Sequence, residues 1–458
     1  RSAASQIAAP QGGLRALGRP GGAQSGLRER RTMKTLIHGG RVIDPASGFD
    51  QKADVWLDGS HVVAINNEAN SFVPDLRIDA TGCIVAPGLV DLAVRLREPG
   101  HEHEGMLASE LSAAVAGGVT SLVCPPDTDP VLDEAGLVEM LKFRAQNRQQ
   151  ARVYPLGALT RGLKGEVLTE MAELTQAGCV GFSQAEVALA DTQVLQRALL
   201  YAASFGYTVW LRPQDQHLGK GVAASGALAT RLGLAGVPVA AETIALHTIF
   251  ELIRSTRTRV HVCRLSSAAG VELIRQAKAQ GLPVTADVSV HSLHLTDMDI
   301  GYFDSRARLT PPLRQQADRD ALRQGLLDGT IDALVSDHVP VGDDEKTLPF
   351  AEAVPGATGL ELLLSLALKW SQDCAVPLNK ALEKITSAAG ALIGQADAGK
   401  LHVGAVADLC IFQADAHWLV SADKLRSQAK STPFSGYELP GQVRHTLVGG
   451  QLVFSQNN

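Results

Sequence analysis

The sequence predicts an α/β fold in which a (β/α)8, or TIM, barrel carries a small β-sandwich built from both ends of the chain. Two observations support this prediction. Apolar strand-like runs alternate with helix-patterned segments eight times over roughly 300 residues, and short β-rich runs occur near both termini. A doubly wound parallel sheet is the alternative for the middle of the chain.

The first 32 residues differ in composition from the rest, with six Arg, one Glu and many Gly, Ala and Ser. An Arg-rich, acid-poor segment is typical of an organellar transit peptide, and equally of a translated vector leader. The stretch "MKTLIHGGRVID" at Met33 resembles a natural start. We therefore expect residues 1–32 to be a leader of one of these kinds, and to be poorly ordered.

The β-rich runs after Met33 are "TLIHGGRVID" and "KADVWLDGSHVVAI", which Gly, Asp and Ser interrupt as in hairpins. Matching runs near the other end are "ADLCIFQ", "HTLVGG" and "QLVFSQ". We assign residues 33–86 and 396–458 to the two halves of one β-sandwich domain. Residues 87–395 then form the barrel domain.

Within the barrel, helix-patterned segments such as "EGMLASELSAAVAGG" and "AAGVELIRQAKAQG" end at Gly, where a helix C-cap places it. The eight strand runs between the helices are "GLVDLAV", "GVTSLVCPP", "RVYPLGAL", "GCVGFS", "YTVWLRP", "RVHVCRLS", "PVTADVSV" and "DALVSDH".

The composition narrows the functional classes. The chain has 458 residues, 45% of them apolar, and a net charge of −6, which argues against binding to nucleic acid or to an anionic membrane. No apolar run approaches the roughly 20 residues that span a bilayer. The six cysteines are scattered and include no CxxC pair, which favours reduced thiols and a cytoplasmic location.

A barrel of this kind places its chemistry at the C-terminal ends of its strands. The motifs around those ends are "APGLVD", "LREPG", "PPDTDPVLD", "GFS", "HVCRLSSAAGVELI", "TPPLR", "SDHVP", "PFAEAVPGATGLE", "GKLHVGAVADL" and "STPFSGYELPGQVRHTLVGG". By their order and spacing, residues 33–458 resemble a dihydroorotase of the cyclic amidohydrolase superfamily.

The resemblance implies a metal-dependent hydrolase, in which zinc activates a bound water and polarises the scissile carbonyl. The usual ligands are two His of an HxH motif on strand one, a carboxylate or carboxylated Lys on strand four, and one His each on strands five and six. An Asp on strand eight is both ligand and general base. In this sequence the first five positions fall at Ala93, Arg95, Gln184, Arg212 and Arg264, and only Asp337 is retained.

These replacements remove the metal-binding chemistry. Alanine has no donor atom, glutamine offers a neutral oxygen, and a guanidinium is always protonated and cannot ligate a cation. We therefore predict a site without metal, cofactor or catalytic residues, in which Asp337 is a remnant of the family.

Two further residues match substrate-binding positions of the family. Arg97 corresponds to the Arg that holds the substrate carboxylate, and His338 follows Asp337 as in the family pattern. The family Asn of "PNTxP" is replaced by Asp127, which would repel an anionic substrate. Two other family residues, an Asn and a His, are replaced by Thr310 and Val341.

The three arginines at ligand positions have two interpretations. They could form a new anion-binding cluster, or they could fill the former metal volume and pair with Asp337 and nearby acids, since isolated buried charge is costly. We favour the second, with Glu186, Asp215 or a bound anion balancing the surplus positive charge.

Other possible ligands have structural explanations. "HEHE" at residues 101–104 is expected to be a solvated charged loop, and His291 and His294 to make local hydrogen bonds. His261 and Cys263 share a strand face and are expected in the core. Asp337 and His338 should point to opposite sides of their strand.

Three functions remain open. The resemblance includes catalytically inactive homologues that support aspartate transcarbamoylase in bacteria, which predicts a hetero-oligomer with its catalytic chains, containing homodimeric contacts. An active hydrolase could use Asp337 without metal, or a metal relocated to His291 and His338. A small-anion sensor could use Arg97 with the three arginines at ligand positions.

Overall fold

The structure is a computed structural model that describes residues 32–66 and 72–456. The predicted leader, apart from Thr32, lies outside the described residues. From Met33 onward the chain forms one compact unit. None of the helices in the described ranges combines the length and apolar character needed to cross a membrane.

Seven short strands precede the barrel. They are β1 (Lys34–His38), β2 (Arg41–Asp44), β3 (Phe49–Lys52), β4 (Val55–Asp58), β5 (His61–Ile65), β6 (Leu76–Asp79) and β7 (Ile84–Pro87).

The barrel strands alternate with helices, as the sequence predicts. In chain order the elements are β8 (Leu89–Asp91), α1 (Leu107–Ala116), β9 (Val119–Cys124), α2 (Ala135–Gln146), β10 (Arg152–Pro155), β11 (Gly157–Ala158), α3 (Met171–Ala177), β12 (Phe182–Ser183), α4 (Thr192–Phe205), β13 (Thr208–Leu211), β14 (Ala223–Ala224), α5 (Ala227–Leu232), β15 (Gly236–Val237), α6 (Ala240–Thr256), β16 (Arg259–Val262), α7 (Ala268–Ala279), β17 (Val284–Ser289), α8 (Val290–His294), α9 (Gln316–Asp328), β18 (Ala333–Val335), α10 (Asp343–Lys346), α11 (Leu363–Asp373), α12 (Leu378–Glu383) and α13 (Ser387–Leu392).

Three antiparallel strands follow the barrel: two long ones, β19 (Leu409–Leu419) and β20 (Glu438–Val448), and the shorter β21 (Gln451–Ser455).

The barrel is closed by parallel pairing. Neighbouring strands pair in the order β8, β9 and β10, and then β11, β12, β13, β16, β17 and β18. The ring closes where Val94 bridges His338, with the His338 N–H donating to the Ala93 carbonyl at 3.0 Å. Every residue of β9 is buried, as expected of a parallel strand covered by helices.

The sandwich combines both ends of the chain, so the predicted fold class is confirmed. One sheet has the order β5-β4-β1-β6, and the other has the order β21-β20-β19-β7-β2-β3. N-terminal β7 pairs antiparallel with C-terminal β19, from Leu409 opposite Pro87 to Phe412 opposite Ile84. The domain boundaries given above at residues 86/87 and 395/396 stay predictions.

The hairpin predicted for "TLIHGGRVID" is wrong. β1 and β2 belong to different sheets, and the chain crosses between them at Gly39 and Gly40. A Cβ atom on either glycine would lie 2.7 Å from a side-chain atom, of Thr81 or of Val85. The two glycines therefore permit a close crossing of two chain segments. The second predicted hairpin is present as β4 and β5.

Candidate functional site

Three arginines meet at the C-terminal ends of the barrel strands. Arg95 follows β8, Arg212 directly follows β13, and Arg264 lies two residues after β16. Their side chains are nine-tenths buried, with exposed fractions of 9%, 7% and 6%. The strand ends thus place three cations at the mouth of the barrel.

Glu186 is the common partner of these arginines. Its Oε1 accepts from Arg95 Nη2 at 2.8 Å and from Arg264 Nη2 at 2.5 Å, and its Oε2 accepts from Arg212 Nε at 2.5 Å. Ala185, which precedes it, has a φ of 50°. This left-handed backbone just after β12 belongs to the turn from which Glu186 reaches the arginines.

Two more carboxylates complete the charge balance. Arg95 Nε donates to Asp127 Oδ2 at 2.8 Å, and Arg264 Nη1 donates to Asp337 Oδ1 at 3.1 Å. Three guanidiniums therefore face three carboxylates. We call these six residues the arginine cluster: Arg95, Arg212, Arg264, Asp127, Glu186 and Asp337.

The prediction of which acids balance the arginines is right for Glu186 and Asp337 and wrong for Asp215. Glu186 and Asp337 do pair with the arginines, but Asp215 does not, because its Oδ1 accepts from the backbone N–H groups of His217 and Leu218. From the sequence, Asp127 is expected only to repel an anionic substrate, and its pairing with Arg95 is not predicted. Its position just after β9, beside Arg95 after β8, was the available signal, because adjacent parallel strands end at the same edge.

Charge and burial act in opposite directions on these carboxylates. Burial would raise the pKa of Glu186, but the three neighbouring guanidiniums outweigh it and hold that pKa well below its ordinary value. Asp337 behaves differently, because burial raises its pKa despite the nearby Arg264.

The other two residues at family ligand positions, Gln184 and Ala93, make contacts of a different kind. The Gln184 side chain accepts from Thr160 Oγ1 at 3.0 Å and donates to the Leu163 carbonyl at 2.8 Å. Ala93 contributes only backbone atoms, including the carbonyl that accepts from His338.

This arrangement does not fit a metal ion. Guanidinium groups cannot donate electron pairs, and the carboxylates that could do so are bound to those guanidiniums. A divalent cation would have to displace ion pairs and would be repelled by three fixed positive charges. We therefore derive no chemical step through a metal.

The two substrate-binding remnants are engaged as well. Arg97 donates to the Pro340 carbonyl from Nε and Nη2, at 2.9 and 2.7 Å, and its Nε lies 3.0 Å from Glu104 Oε2. His338 is fully buried, with Nε2 2.8 Å from Glu110 Oε2. Its Nδ1 accepts from the backbone N–H groups of Gly359 and Leu360.

The relocated metal site considered above is not supported by this geometry, because both His338 nitrogens have partners. His291 Nδ1 and Nε2 have no hydrogen-bond partner among the described residues, and the ring stacks on Phe434 at 5.7 Å between centroids. The local hydrogen bond expected for His291 is therefore wrong. His294 does make one, from Nε2 to the Leu366 carbonyl at 2.9 Å.

Potential ligands meet within 4.8 Å at two places in the described residues. One is His261, Cys263 and Asp287 in the barrel, where both His261 nitrogens are already 2.8 Å from oxygens of Thr285 and Asp287. The other includes Glu104, which is buried. The solvated loop expected for residues 101–104 is therefore wrong at Glu104, because this carboxylate pairs with Arg97.

Comparisons with known proteins agree with this fold. A family model described as Dihydro-orotase-like matches residues 82–269, and one described as Amidohydrolase family matches residues 220–453. The solved L-hydantoinase (dihydropyrimidinase) of Arthrobacter aurescens shares the fold. Its TM-score is 0.83 at 24% identity, over 93% of this chain and 96% of that one.

A barrel with a sandwich from both chain ends, and polar side chains at its strand ends, defines an amidohydrolase-type protein. Dihydroorotase-like proteins of Pseudomonas putida and Pseudomonas aeruginosa are each 44% identical, over 92% of this chain and 99% of their own length. A dihydroorotase of Geobacter metallireducens is 38% identical over 93% of this chain and all of its own length. The chain therefore belongs to the dihydroorotase-like branch of the amidohydrolase family.

Proposed function

We propose that this chain is a catalytically inactive dihydroorotase homologue of de novo pyrimidine biosynthesis, and that it is a structural partner of aspartate transcarbamoylase. In this proposal it assembles with the catalytic chains of that enzyme in a cytoplasmic hetero-oligomer, with contacts between copies of the chain. The observation that carries the inactive part is the arginine cluster, which fills the family metal centre with ion pairs.

The chemistry of the cluster supports inactivity. Hydrolysis of a cyclic amide at neutral pH needs an activated water and a polarised carbonyl, both of which a metal supplies in this family. Asp337 is the retained acid, and it is bound to Arg264. The two serines of "RLSSAAG" donate to Glu242, at 2.6 and 2.5 Å, and this carboxylate also accepts from both of their backbone N–H groups, so the contact is structural.

The partner is supported by the resemblance, and the relatives' names support the family alone. The two relatives at 44% identity are named dihydroorotase-like protein, while the Geobacter relative at 38% is named dihydroorotase. A barrel that keeps its fold without its chemistry is consistent with selection for assembly.

Inactivity is tested on the purified chain by elemental analysis for zinc, together with assays of dihydroorotate hydrolysis and carbamoyl-aspartate cyclisation. The Geobacter relative, purified in the same way, is the positive control. We expect zinc far below one per chain and no turnover. Stoichiometric zinc with turnover would overturn the proposal.

Assembly is tested separately by sedimentation velocity of the chain mixed with aspartate transcarbamoylase catalytic chains of the same organism. We expect a species larger than either component, and a mixture that sediments as two separate components would overturn the partner role alone. An inactive chain that does not assemble would thus be distinguished from an active enzyme.

A further inference from the structure

A second feature of the barrel mouth is a cavity of about 210 Å³ beside the arginine cluster. It lies between the loop after β12, the start of α4, the end of β13 and the helix α6. Pockets for drug-sized ligands are typically roughly 300–1,000 Å³. This cavity is smaller and would hold a small molecule.

Arg212 supplies a cation to the wall of the cavity. It lies in the cavity wall, its side chain is 93% buried, and its Nε is bound to Glu186. Its two terminal nitrogens have no partner among the described residues. A guanidinium carries five N–H donors, so one edge, with a donor from each terminal nitrogen, remains free. That edge matches a carboxylate in a two-point contact.

The other two arginines of the cluster do not have this freedom. Arg95 binds two carboxylates through Nε and Nη2. Arg264 binds two carboxylates through its two terminal nitrogens. Arg97 is held by Glu104 and a carbonyl. Arg212 is therefore the arginine at the barrel mouth best placed to bind a ligand.

The rest of the wall is mixed, with more than half of its residues apolar and with Gln214, Asp215 and His217 among the polar ones. Small and branched apolar side chains from the loop, the two helices and the strand also line the cavity. They include Val187, Leu189, Leu195, Ile244 and Ile249. A ligand that fits would combine one anionic group with a compact hydrocarbon part.

We propose that this cavity binds a small aliphatic carboxylic acid, with its carboxylate on the free edge of Arg212 and its hydrocarbon part against these apolar side chains. The proposal does not depend on the proposed function. A monoanion suits the site better than a phosphate dianion, because the carboxylate of Glu186, which is bound to Arg212, and that of Asp215, which lies in the wall, would repel a second negative charge.

The test uses isocaproate and its neutral amide, isocaproamide, as probes of the full chain. Binding is measured by isothermal titration and by ligand-observed NMR. We expect a dissociation constant of about 1 mM or below for the acid, since so few atoms yield limited affinity. We expect at least tenfold weaker binding of the amide, which cannot form the ionic contact.

Ala245→Phe is the first variant, because Ala245 lines the cavity on α6 and takes no part in the ion pairs. His247→Phe is the matched control, since His247 is exposed on the same helix and is not part of the wall. We expect at least tenfold weaker isocaproate binding in Ala245→Phe and unchanged binding in His247→Phe.

Arg212→Gln should reduce binding of the acid toward that of the amide, provided circular dichroism shows the variant folded. Absence of isocaproate binding to the unaltered chain would overturn the proposal. Equal binding of acid and amide, or full binding by Ala245→Phe, would do so as well.

Discussion

At the scale of single residues, Glu186 shows how three buried cations at the strand ends are stabilised. Its carboxylate accepts from three guanidiniums whose positive charges otherwise repel one another. Removing one partner of a buried ion pair costs more than the pair contributes, because the other charges stay buried.

We predict that Glu186→Gln lowers the free energy of unfolding by about 3 kcal/mol, because three buried cations lose their shared anion. The measurement is urea denaturation near neutral pH. Asp215→Asn is the control, since Asn can still accept from the backbone groups that Asp215 binds. It should change the free energy by less than about 0.5 kcal/mol. A loss in Glu186→Gln no larger than in the control would contradict the ion-pair interpretation.

His291 gives a second prediction at this scale. Burial, with a contribution from the charge of Lys346, lowers its pKa from 6.5 to about 3. Between pH 6.5 and about 3, His291 is therefore protonated in the unfolded chain and neutral in the folded chain. Stability contributed by the neutral ring is present above pH 6.5 and is lost as the pH falls toward about 3.

We predict that His291→Phe flattens this acid loss, by up to about 1.4 kcal/mol per pH unit. His294→Phe is the comparison, because the pKa of His294 is also lowered by burial to about 3, but its ring bonds the Leu366 carbonyl. His294→Phe should flatten the pH dependence of the free energy of unfolding as much as His291→Phe does. It should also lower that free energy by about 1 kcal/mol at neutral pH, because the hydrogen bond is lost. An unchanged slope in His291→Phe, in unfolding measured from pH about 4 to about 7, would contradict the assignment.

At the scale of elements, Glu242 joins two helices. It lies in the first turn of α6, is buried, and accepts from both N–H and both hydroxyl groups of Ser266 and Ser267, with Ser267 the N-cap of α7. The hydroxyls that might have suggested a nucleophile therefore fix the start of a helix.

We predict that Glu242→Gln lowers the free energy of unfolding by about 2–3 kcal/mol, because the amide replaces a charged acceptor oxygen with a donor. Glu251→Gln, at an exposed position of the same helix, removes an ion pair with Arg254 at the surface. It should cost less than about 0.5 kcal/mol. Equal effects in the two variants, compared by thermal and urea unfolding, would rule out the helix-joining role.

The elements also show what the sequence could predict. Each predicted barrel strand has a counterpart in β8 to β18, because parallel strands covered by helices are continuous apolar runs. The absence of ligand side chains follows from residue identity alone. The pairing of Asp127 with Arg95, and the crossing at Gly39 and Gly40, depend on which segments meet in space, which local patterns do not contain.

At the scale of the whole molecule, the C-terminal strands connect the sandwich to the barrel helices. The Ser365 hydroxyl on α11 donates to the Gly441 carbonyl in β20 at 3.0 Å, and the Thr446 hydroxyl in β20 donates to the Val115 carbonyl on α1 at 2.7 Å. Strand β20 also pairs with β19, which pairs with N-terminal β7. Contacts of this kind should make the described part of the chain unfold as one cooperative unit.

Gly441 tests that cooperativity. Its φ is 85°, and a Cβ atom would lie 2.3 Å from Leu368 Cδ1, whereas Gly436 has the same φ with no atom within 4 Å of such a Cβ. We predict that Gly436→Ala costs about 1 kcal/mol, from backbone strain alone. Gly441→Ala should cost about 1–3 kcal/mol more, because α11 must repack.

Hydrogen exchange followed by mass spectrometry measures where the Gly441→Ala cost appears. If the molecule is one cooperative unit, slow amides in β1 and β4 of the sandwich and in β17 of the barrel should lose protection by the same factor, since all exchange through the same global opening. Loss confined to β19, β20 and β21 would instead mean that the C-terminal strands open on their own. The barrel would then stay folded without them, and its stability would not depend on the sandwich.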